Sequence, residues 1–192
     1  MKPGADGLGN DGLEDGELVA RVVMGETELF AFLVRRHQRA VYGLGMGFYR
    51  NADDAADFVQ DVFLKAFRSL GTFQGRARFS TWLYRIAYNA AINGTKRRKE
   101  YRSLAEDAEI PDFDGPERLT LRSLAAAAVV EAIADLPDRF RICVELFFFY
   151  DLSYPEIETV TGYPVNTIKS HVFRAKKLLR EKLRDEAEGG FE

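Results

Sequence analysis

The sequence predicts an all-α protein in which two small helical domains are joined by a flexible acidic linker. Apolar residues recur every three or four positions over several long segments, which is the spacing of one face of an α-helix. No segment alternates Val, Ile or Thr with polar residues between hairpin turns, so a sheet is not expected. An acidic stretch that carries Pro and Gly, residues 100–117, lacks the helical period and separates the two sets of helices.

The length and charge of the chain support this division. A chain of 192 residues with 46% hydrophobic residues can form one or two domains with buried cores. The net charge is only −3, but the charges are segregated: acidic residues occupy the N-terminus and residues 106–117, whereas basic residues concentrate in 76–102 and 169–184. Basic residues that are concentrated in blocks favour binding to a polyanion even though the net charge of the chain is negative. We therefore expect a disordered acidic tail at 1–14, a first domain at 15–99, the linker at 100–117 and a second domain at 118–186.

The first domain begins with three helical patterns. A short apolar face lies near Leu18, a longer helix covers about 27–48, and a third helix follows Asn51, which can cap it. His37 lies beside the core face of the second helix and is interpreted as a hydrogen-bonded structural residue rather than a ligand. Gly43, Gly45 and Gly47 indicate close packing or a weak helix end.

The third helix has two different faces. Its predicted core face consists of Ala52, Ala55, Ala56, Val59, Val62, Phe63, Ala66, Phe67 and Leu70. A second face carries acidic and polar residues with one apolar residue among them, namely Asp57, Gln60, Asp61 and Leu64. Two interpretations of this face remain open, a solvated helix surface and a docking surface for a partner. The apolar Leu64 among the acidic residues is the observation that points to docking.

A loop and a fourth helix combine aromatic and cationic residues over 73–93. Single-stranded DNA is bound by this mixture, because unpaired bases stack on aromatic rings while Arg and Lys contact phosphates. Ser80 can cap the helix, and Tyr84 and Tyr88 are expected in the core. Nucleic-acid contact is favoured for Arg76, Arg78, Trp82 and Arg85. The basic run 96–99 would neutralise phosphates without sequence preference.

The second domain ends in a predicted helix-turn-helix. Ser153 and Glu156 have the spacing of a capping box, Gly162 supplies the turn and Pro164 begins the second helix. Val165, Ile168, Val172, Ala175 and Leu179 form one apolar stripe of that helix. The opposite stripe carries hydrogen-bond donors, cations and one aromatic residue: Asn166, Lys169, Ser170, Phe173, Arg174 and Lys177. A helix of this kind fits the DNA major groove.

Other classes of function find little support in the sequence. The single cysteine, Cys143, lies in an apolar run, cannot form an internal disulfide and is expected in the core. No P-loop, metal-ligand motif or nucleophile elbow is present, so we expect no metal, no cofactor and no enzymatic activity. No apolar segment is long enough to cross a bilayer and no signal peptide is evident, so we expect a cytoplasmic protein without direct membrane insertion.

The motifs together resemble the extracytoplasmic-function (ECF) sigma factors of bacterial RNA polymerase. The first domain carries DFVQDVFLKAFRSL at 57–70, FQGRARFSTWLYRIAYNAAIN at 73–93 and KRRK at 96–99. The second carries LPDRFRICVELFFFYDLSYPEIETVTGYPVNTIKSHVFRAKKLLRE at 136–181. The resemblance covers nearly the whole chain, from about Leu18 to Leu183, and it implies a sigma region 2 bundle followed by a region 4 helix-turn-helix.

This resemblance implies a transcription initiation factor with three sets of contacts. Core RNA polymerase would be bound through its β′ clamp helices and β flap, with Asp57, Gln60, Asp61 and Leu64 at the first-domain contact. The promoter −10 element would be recognised and opened as single strands by Phe73, Arg76, Arg78, Phe79, Ser80, Trp82, Arg85, Asn89 and Asn93. The −35 element would be bound as duplex by Asn166, Thr167, Lys169, Ser170, His171, Phe173, Arg174 and Lys177. An anti-sigma factor is a further implied partner, and in this family such a factor can be membrane-bound.

Two other functions are alternatives to a transcription initiation factor. A stand-alone helix-turn-helix regulator would bind duplex DNA without polymerase, as a dimer on a palindrome, and would leave the acidic first-domain face without a role. A recombinase or nuclease would need carboxylates that converge on a metal, or a nucleophile with its base. The acidic residues are dispersed, which disfavours that class.

Overall fold

The computed structural model describes residues 12–104 and 129–189, with the side chains of 12–95 and 129–184. Contacts between residues divide the chain into two compact units, with the division between Arg97 and Arg98. Within the described ranges the secondary structure is helical and contains no strand. The prediction of an all-α protein is therefore confirmed.

The described part of the first unit, from residue 12 onward, contains four helices. They are α1 (Asp15–Val23), α2 (Phe30–Tyr49), α3 (Ala52–Ser69) and α4 (Phe79–Leu104), with short 3-10 turns at Thr27–Leu29 and Leu70–Thr72. Asn51 caps α3 as predicted, because its side-chain Oδ1 accepts a hydrogen bond of 3.0 Å from the backbone N–H of Asp54. Helix α4 continues to Leu104, so residues 100–104 of the predicted linker are helical.

Helices α2 and α3 pack closely because α2 carries a glycine at their contact. A Cβ atom added to Gly45 would lie 2.9 Å from Cδ1 of Phe58 and 3.2 Å from Cα of Ala55. Both distances are too short for a normal carbon contact, so only glycine allows the two helices to approach here. Of the three glycines of α2, Gly45 is thus explained by close packing against α3.

The core of the first unit differs from the predicted core face of α3 at several positions. Ala55, Val62, Phe63, Ala66 and Leu70 are buried as expected. However, Phe58 is only 5% exposed, whereas Phe67 is 43% exposed and Ala56 lies at the surface. The prediction was wrong for Ala52, Ala56 and Phe67, which are exposed, because α2 covers the side of α3 that holds Phe58.

The second unit contains the predicted helix-turn-helix. Its helices are the helical residues 129–134 (α5), α6 (Asp138–Phe148), α7 (Tyr154–Thr161) and α8 (Val165–Gly189). Helices α6 and α7 both pack on α8, and a core cluster joins Ile133, Leu136, Phe140, Val144 and Ala175. The predicted tail (1–14) and linker (100–117) lie largely outside the described residues, so the domain boundaries remain predictions.

Candidate DNA and polymerase interfaces

Three aromatic side chains of the first unit form a cluster that we call the aromatic platform. Phe73, from the loop before α4, lies 5.8 Å from Phe79 and 5.6 Å from Trp82, and Phe79 lies 5.6 Å from Trp82, measured between ring centroids. The Phe73 ring meets the other two edge to face or nearly so, which is a favoured aromatic geometry. The three rings therefore support one another at the start of α4.

The members of the platform differ in their access to solvent. Phe79 is only 3% exposed, whereas Phe73 and Trp82 are half-buried. Phe79 thus does not lie on the surface, contrary to its predicted role as a direct DNA contact. It lies beneath the other two rings because α4 begins at this residue and turns its side chain inward. The surface that a base could stack on consists of Phe73 and Trp82.

Polar and cationic side chains surround the exposed edge of the platform. Arg76 and Arg78 are exposed on the loop, where Gly75 adopts a positive φ of 67° that favours glycine. Along α4, Arg85, Asn89 and Asn93 are exposed at helical spacing after Trp82. Ser80 is half-buried and does not cap α4 as expected, because the helix already begins at Phe79. Tyr84 and Tyr88 are buried, as predicted for core residues. The predicted phosphate run 96–99 has no described side chains.

The acidic face of α3 is fully accessible. Asp57, Gln60, Asp61 and Leu64 are all exposed, with Leu64 at 53%. Because Ala56 and Phe67 are exposed beside them, the face is more apolar than the sequence indicated. Leu64 and Phe67 are large hydrophobic side chains at helical spacing on the surface, which is typical of a protein-binding site rather than of a solvated helix.

A groove between α2 and α3 extends this face. It is lined by Gln38, Arg39 and Tyr42 of α2 and by Ala56, Val59 and Gln60 of α3, and it has a volume of about 470 Å³. Sequence reasoning missed the α2 side of this surface, because the three α2 residues follow no motif that marks them as a site.

The turn of the helix-turn-helix has the geometry that its sequence predicts. The carboxylate Oε2 of Glu156 accepts a hydrogen bond of 2.9 Å from the backbone N–H of Ser153, which completes the capping box. Gly162 ends α7 with a φ of 76°, a left-handed conformation in which L-residues are strained. The capping box and the Gly162 turn together set the angle between α7 and α8.

Helix α8 separates a buried stripe from an exposed one. Ile168, Val172 and Ala175 are buried as predicted. The exposed side chains are those of Asn166, Lys169, Phe173, Arg174 and Lys177, while Thr167 and Ser170 are half-buried. Phe173 is 72% exposed, which is unusual for an aromatic side chain with no polar group. The outer surface of α8 thus offers hydrogen-bond donors, positive charge and one apolar ring to a ligand.

One predicted DNA contact, His171, also packs against the rest of the second unit. The imidazole of His171 packs against Phe140 at 5.2 Å and Tyr163 at 5.5 Å, between ring centroids. Its Nδ1 lies 3.7 Å from Sγ of the buried Cys143. Burial, helped by the nearby cations Arg139 and Arg174, lowers the pKa of His171. Position 171 falls between the exposed and buried stripes and its side chain is half-buried, so its role as a DNA contact stays a prediction.

The contact between Cys143 and His171 does not create a reactive pair. Burial raises the pKa of the Cys143 thiol to about 11. A nucleophilic cysteine requires a lowered thiol pKa and an accessible position. Cys143 has neither, which supports the predicted role as a core residue.

Lys169 is held in place by an aromatic stack. Its Nζ lies 5.9 Å from the ring centroid of Tyr154, and Tyr154 stacks on Phe147 at 4.9 Å with an interplanar angle of 10°. A cation over an aromatic ring gains modest electrostatic stabilisation at a surface site. The stack therefore restricts one of the cations on the exposed surface of α8.

The second unit also has an apolar groove that the sequence did not reveal. It has a volume of about 400 Å³ and is lined by residues that include Val129, Val144, Phe148, Phe149, Lys176 and Leu179. Phe148 and Phe149 are 51% and 58% exposed. The run of three phenylalanines at 147–149 was a possible signal, because a short helix end cannot bury all three rings.

The described part of the chain offers neither a metal site nor a membrane span by its geometry. Among residues 12–104 and 129–189, no group of three or more His, Cys, Asp or Glu residues is placed to hold a metal ion. No helix in those ranges is both long and apolar enough to cross a membrane.

Comparison with known families identifies the two units. Residues 33–101 match the model of sigma-70 region 2, and residues 126–179 match that of sigma-70 region 4. Proteins named as ECF RNA polymerase sigma-E factors are 35–37% identical to this chain over 89% of its length. The chain belongs to the ECF sigma factors. Its aromatic platform and α3 face lie within the region 2 match, and the exposed surface of α8 lies within the region 4 match. The resemblance drawn from the motifs is therefore confirmed.

Individual sigma factors resemble this chain over most of its length. The RNA polymerase sigma-H factor of Pseudomonas aeruginosa is 39% identical over 181 residues, which cover 88% of this chain and 94% of that protein. The ECF RNA polymerase sigma-E factors of Haemophilus influenzae and Escherichia coli are 37% and 35% identical, with 89% of this chain covered in both cases and 96% and 95% of theirs.

Two solved structures share the fold. The sigma factor RpoE from Bartonella quintana, in complex with the anti-sigma factor NepR, aligns with a TM-score of 0.71 and 23% identity, over 81% of this chain and 96% of that one. CnrH, in complex with the cytosolic domain of CnrY, aligns with a TM-score of 0.67 and 26% identity, over 89% of this chain and 97% of that one.

Proposed function

We propose that this sigma factor initiates transcription by binding core RNA polymerase and directing it to promoters through two separate DNA contacts. The region 4 unit binds the −35 element as duplex through the exposed surface of α8. The region 2 unit binds the −10 element and stabilises its opened strand on the aromatic platform. The observation that carries this proposal is the presence, in each of two sigma units, of a partly or largely exposed aromatic ring beside a row of cationic and amide side chains.

The contact with the −35 element follows from the chemistry of α8. Arg174, Lys169 and Lys177 supply positive charge to phosphates and base edges, and Asn166 can pair with adenine in the major groove. Phe173 offers an apolar surface that suits a thymine methyl group. Thr167 and Ser170 add hydroxyl donors at the edge of the same surface.

Strand opening follows from the platform. Stacking of an unpaired base on an aromatic ring contributes roughly 1–3 kcal/mol, whereas one DNA base-pair step costs about 1.4 kcal/mol on average to unstack. Phe73 and Trp82 can therefore offset the cost of exposing one or two bases. Arg76, Arg78 and Arg85 hold the backbone of the opened strand, and Ser80, Asn89 and Asn93 contribute polar contacts to the same surface.

The α3 face is the proposed contact with the β′ clamp helices. Asp57 and Asp61 provide charge, Gln60 provides hydrogen bonds and Leu64 provides an apolar anchor. A mixed surface of this kind combines steering by charge with burial of a central apolar residue. The apolar groove of the second unit, with Phe148 and Phe149 at its rim, is the proposed contact with the β flap.

An anti-sigma factor is the proposed regulator. Two relatives of known structure were solved in complexes with NepR and with CnrY, the first of which is named as an anti-sigma factor. The exposed apolar residues of α3 and of the second-unit groove give such a regulator surfaces to cover. Because polymerase and promoters are cytoplasmic, we place the sigma factor in the cytoplasm, where a membrane-bound regulator could also hold it.

Run-off transcription tests the proposed function. Purified chain is added to purified core RNA polymerase on a library of genomic fragments, and defined transcripts are expected only when both are present. Core polymerase alone and the chain alone are the controls. Absence of any transcript that depends on the chain, together with no association with core polymerase, would refute the proposal.

A stand-alone regulator and a sigma factor differ in whether they bind specific DNA without polymerase. A regulator would bind duplex DNA tightly without polymerase and would protect a palindromic site. The sigma factor is expected to bind specifically only in the holoenzyme. The accessible α3 face and the platform would have no role in the regulator, which is why this alternative is not favoured.

A further inference from the structure

An ion-pair network joins the first helix of the region 2 unit to α2. The carboxylate of Asp15, at the start of α1, accepts a hydrogen bond from Nη1 of Arg36 at 2.9 Å through Oδ1, and its Oδ2 lies 2.7 Å from Nε2 of His37. Arg36 Nη1 also donates to the backbone carbonyl of Leu13 at 2.7 Å. The His37 hydrogen bond is the largest of the effects that lower the pKa of Asp15, so the carboxylate is held in its charged form.

The network continues directly into the aromatic platform. The ring of His37, whose side chain is 14% exposed, packs on Phe79 with 5.3 Å between centroids. Phe79 is the buried ring beneath Phe73 and Trp82. A path of direct contacts therefore runs from the Asp15 carboxylate, through one imidazole and one buried ring, to the two rings that we assign to strand opening.

We propose that His37 is a positioning residue for strand opening, held by Asp15 so that Phe79 supports Trp82 and Phe73 in a stacking-competent arrangement. This inference rests on the proposed function, because it assigns a role to residues that do not themselves contact DNA. Side chains that bind a reacting or unstacked group work best when neighbouring packing fixes their orientation in advance. In this proposal helix α1 stabilises the orientation of the platform rings through the contact of Asp15 with His37.

A different role for His37 would be to stabilise the fold with no effect on the platform. The two roles differ in what they predict for Trp82, which is the only tryptophan of the sequence. The tryptophan fluorescence of the free protein therefore reports the surroundings of Trp82 within the platform. A positioning role predicts that loss of the Asp15 contact changes Trp82 fluorescence and strand opening in a protein that remains folded.

The test compares Asp15→Ala with Glu26→Ala in the full-length chain. Glu26 forms an ion pair with Arg21 of α1, at 2.9 Å between Oε1 and Nε, and this pair includes neither Asp15 nor His37. Trp82 emission and acrylamide quenching are measured first. Holoenzyme assembly and permanganate reactivity of the −10 element are then measured on a promoter found by run-off transcription.

For Asp15→Ala we expect a shifted Trp82 emission, stronger quenching and strand opening that is slower by about 3- to 10-fold, with assembly affinity within about twofold of wild type. Glu26→Ala is expected to resemble wild type in all of these. On a template whose −10 element is already unpaired by mismatches, Asp15→Ala should regain most of its activity, since the opening step is bypassed.

His37→Gln is the second variant, and it keeps the inference testable if Asp15→Ala does not fold. Glutamine retains a hydrogen-bond donor for Asp15 but lacks the ring that packs on Phe79, so the same changes in emission and opening are expected. Wild-type emission and wild-type opening in the folded variants would overturn the inference. A defect that persists equally on the mismatched template would overturn it too. Failure of the proposed function is distinct, since the wild-type holoenzyme would then make no transcript.

Discussion

Replacement of Phe173 by alanine gives the sharpest test of the DNA surface on α8. A phenylalanine buries about 200 Å² when it is fully covered, and 72% of Phe173 is exposed in the free protein, so DNA could cover at most about 140 Å². At about 25 cal/mol per Å² this area corresponds to a ceiling of about 3.5 kcal/mol. Incomplete contact in the groove lowers the expected loss of −35 binding to about 1–2 kcal/mol, or roughly 5- to 30-fold in affinity.

The stability of the protein should not change with this substitution. Because Phe173 is mostly exposed, Phe173→Ala is expected to alter the free energy of unfolding by no more than about 0.5 kcal/mol. The neighbouring Val172 is 2% exposed, so Val172→Ala serves as the matched control. It should lower the free energy of unfolding by about 1–3 kcal/mol and leave the DNA affinity of the folded holoenzyme unchanged.

The assay is fluorescence anisotropy of a labelled −35 duplex titrated with holoenzyme, accompanied by urea unfolding of the free sigma factor. Binding that is indifferent to Phe173→Ala would remove this ring from the DNA surface. A loss of stability comparable with that of Val172→Ala would show that the ring is packed in solution, and would refute the reasoning from exposure.

Four further predictions concern other parts of the two units. Arg174→Ala should weaken −35 binding by about 1–3 kcal/mol in the same anisotropy assay, and unchanged binding would exclude this residue from the contact. Asp61→Arg should lower the affinity for core polymerase in a pull-down or titration while the thermal unfolding curve stays the same, so normal holoenzyme assembly would contradict the α3 face as the contact. Trp82→Ala should slow strand opening more than initial docking, and a permanganate footprint equal to wild type would count against the platform. Cys143 should make the free energy of unfolding fall at alkaline pH, because burial raises the pKa of its thiol from 9.0 to about 11. The contribution of the protonated thiol to stability is complete below pH 9 and is lost as the pH rises through 11, with a loss of about 1.4 kcal/mol at pH 10. Cys143→Val should lack this part of the pH dependence in urea unfolding.

Much of the fold and of the −35 surface could be predicted from local sequence patterns. The Ser153 capping box, the Gly162 turn and the apolar stripe of α8 depend on residues close together in the chain, and the structure has all three. The exposed position of Phe173 followed from the same helical period. The two-domain sigma architecture followed from two motifs at a characteristic spacing, and the family comparison confirms it.

The faces of α3 could not be assigned in the same way. Helical periodicity tells which residues share a face, but which of two adjacent apolar faces is covered depends on the neighbouring helix. Gly45 of α2 opens space for Phe58, so Phe58 is buried and Phe67 is left at the surface. The exposed Phe67 and the α2 side of the adjoining groove therefore became visible only in the structure.

The sequence by itself determined the helices, the caps of α3 and α7, the two sigma units and the cationic surface of α8, because these depend on periodicity and on contacts between near neighbours. Tertiary structure decided which rings of the platform are accessible, that His171 turns toward Cys143, and that Asp15 and His37 support Phe79. Each of these depends on side chains brought together from separate helices, and their burial is set by packing between helices rather than by the order of residues along one of them.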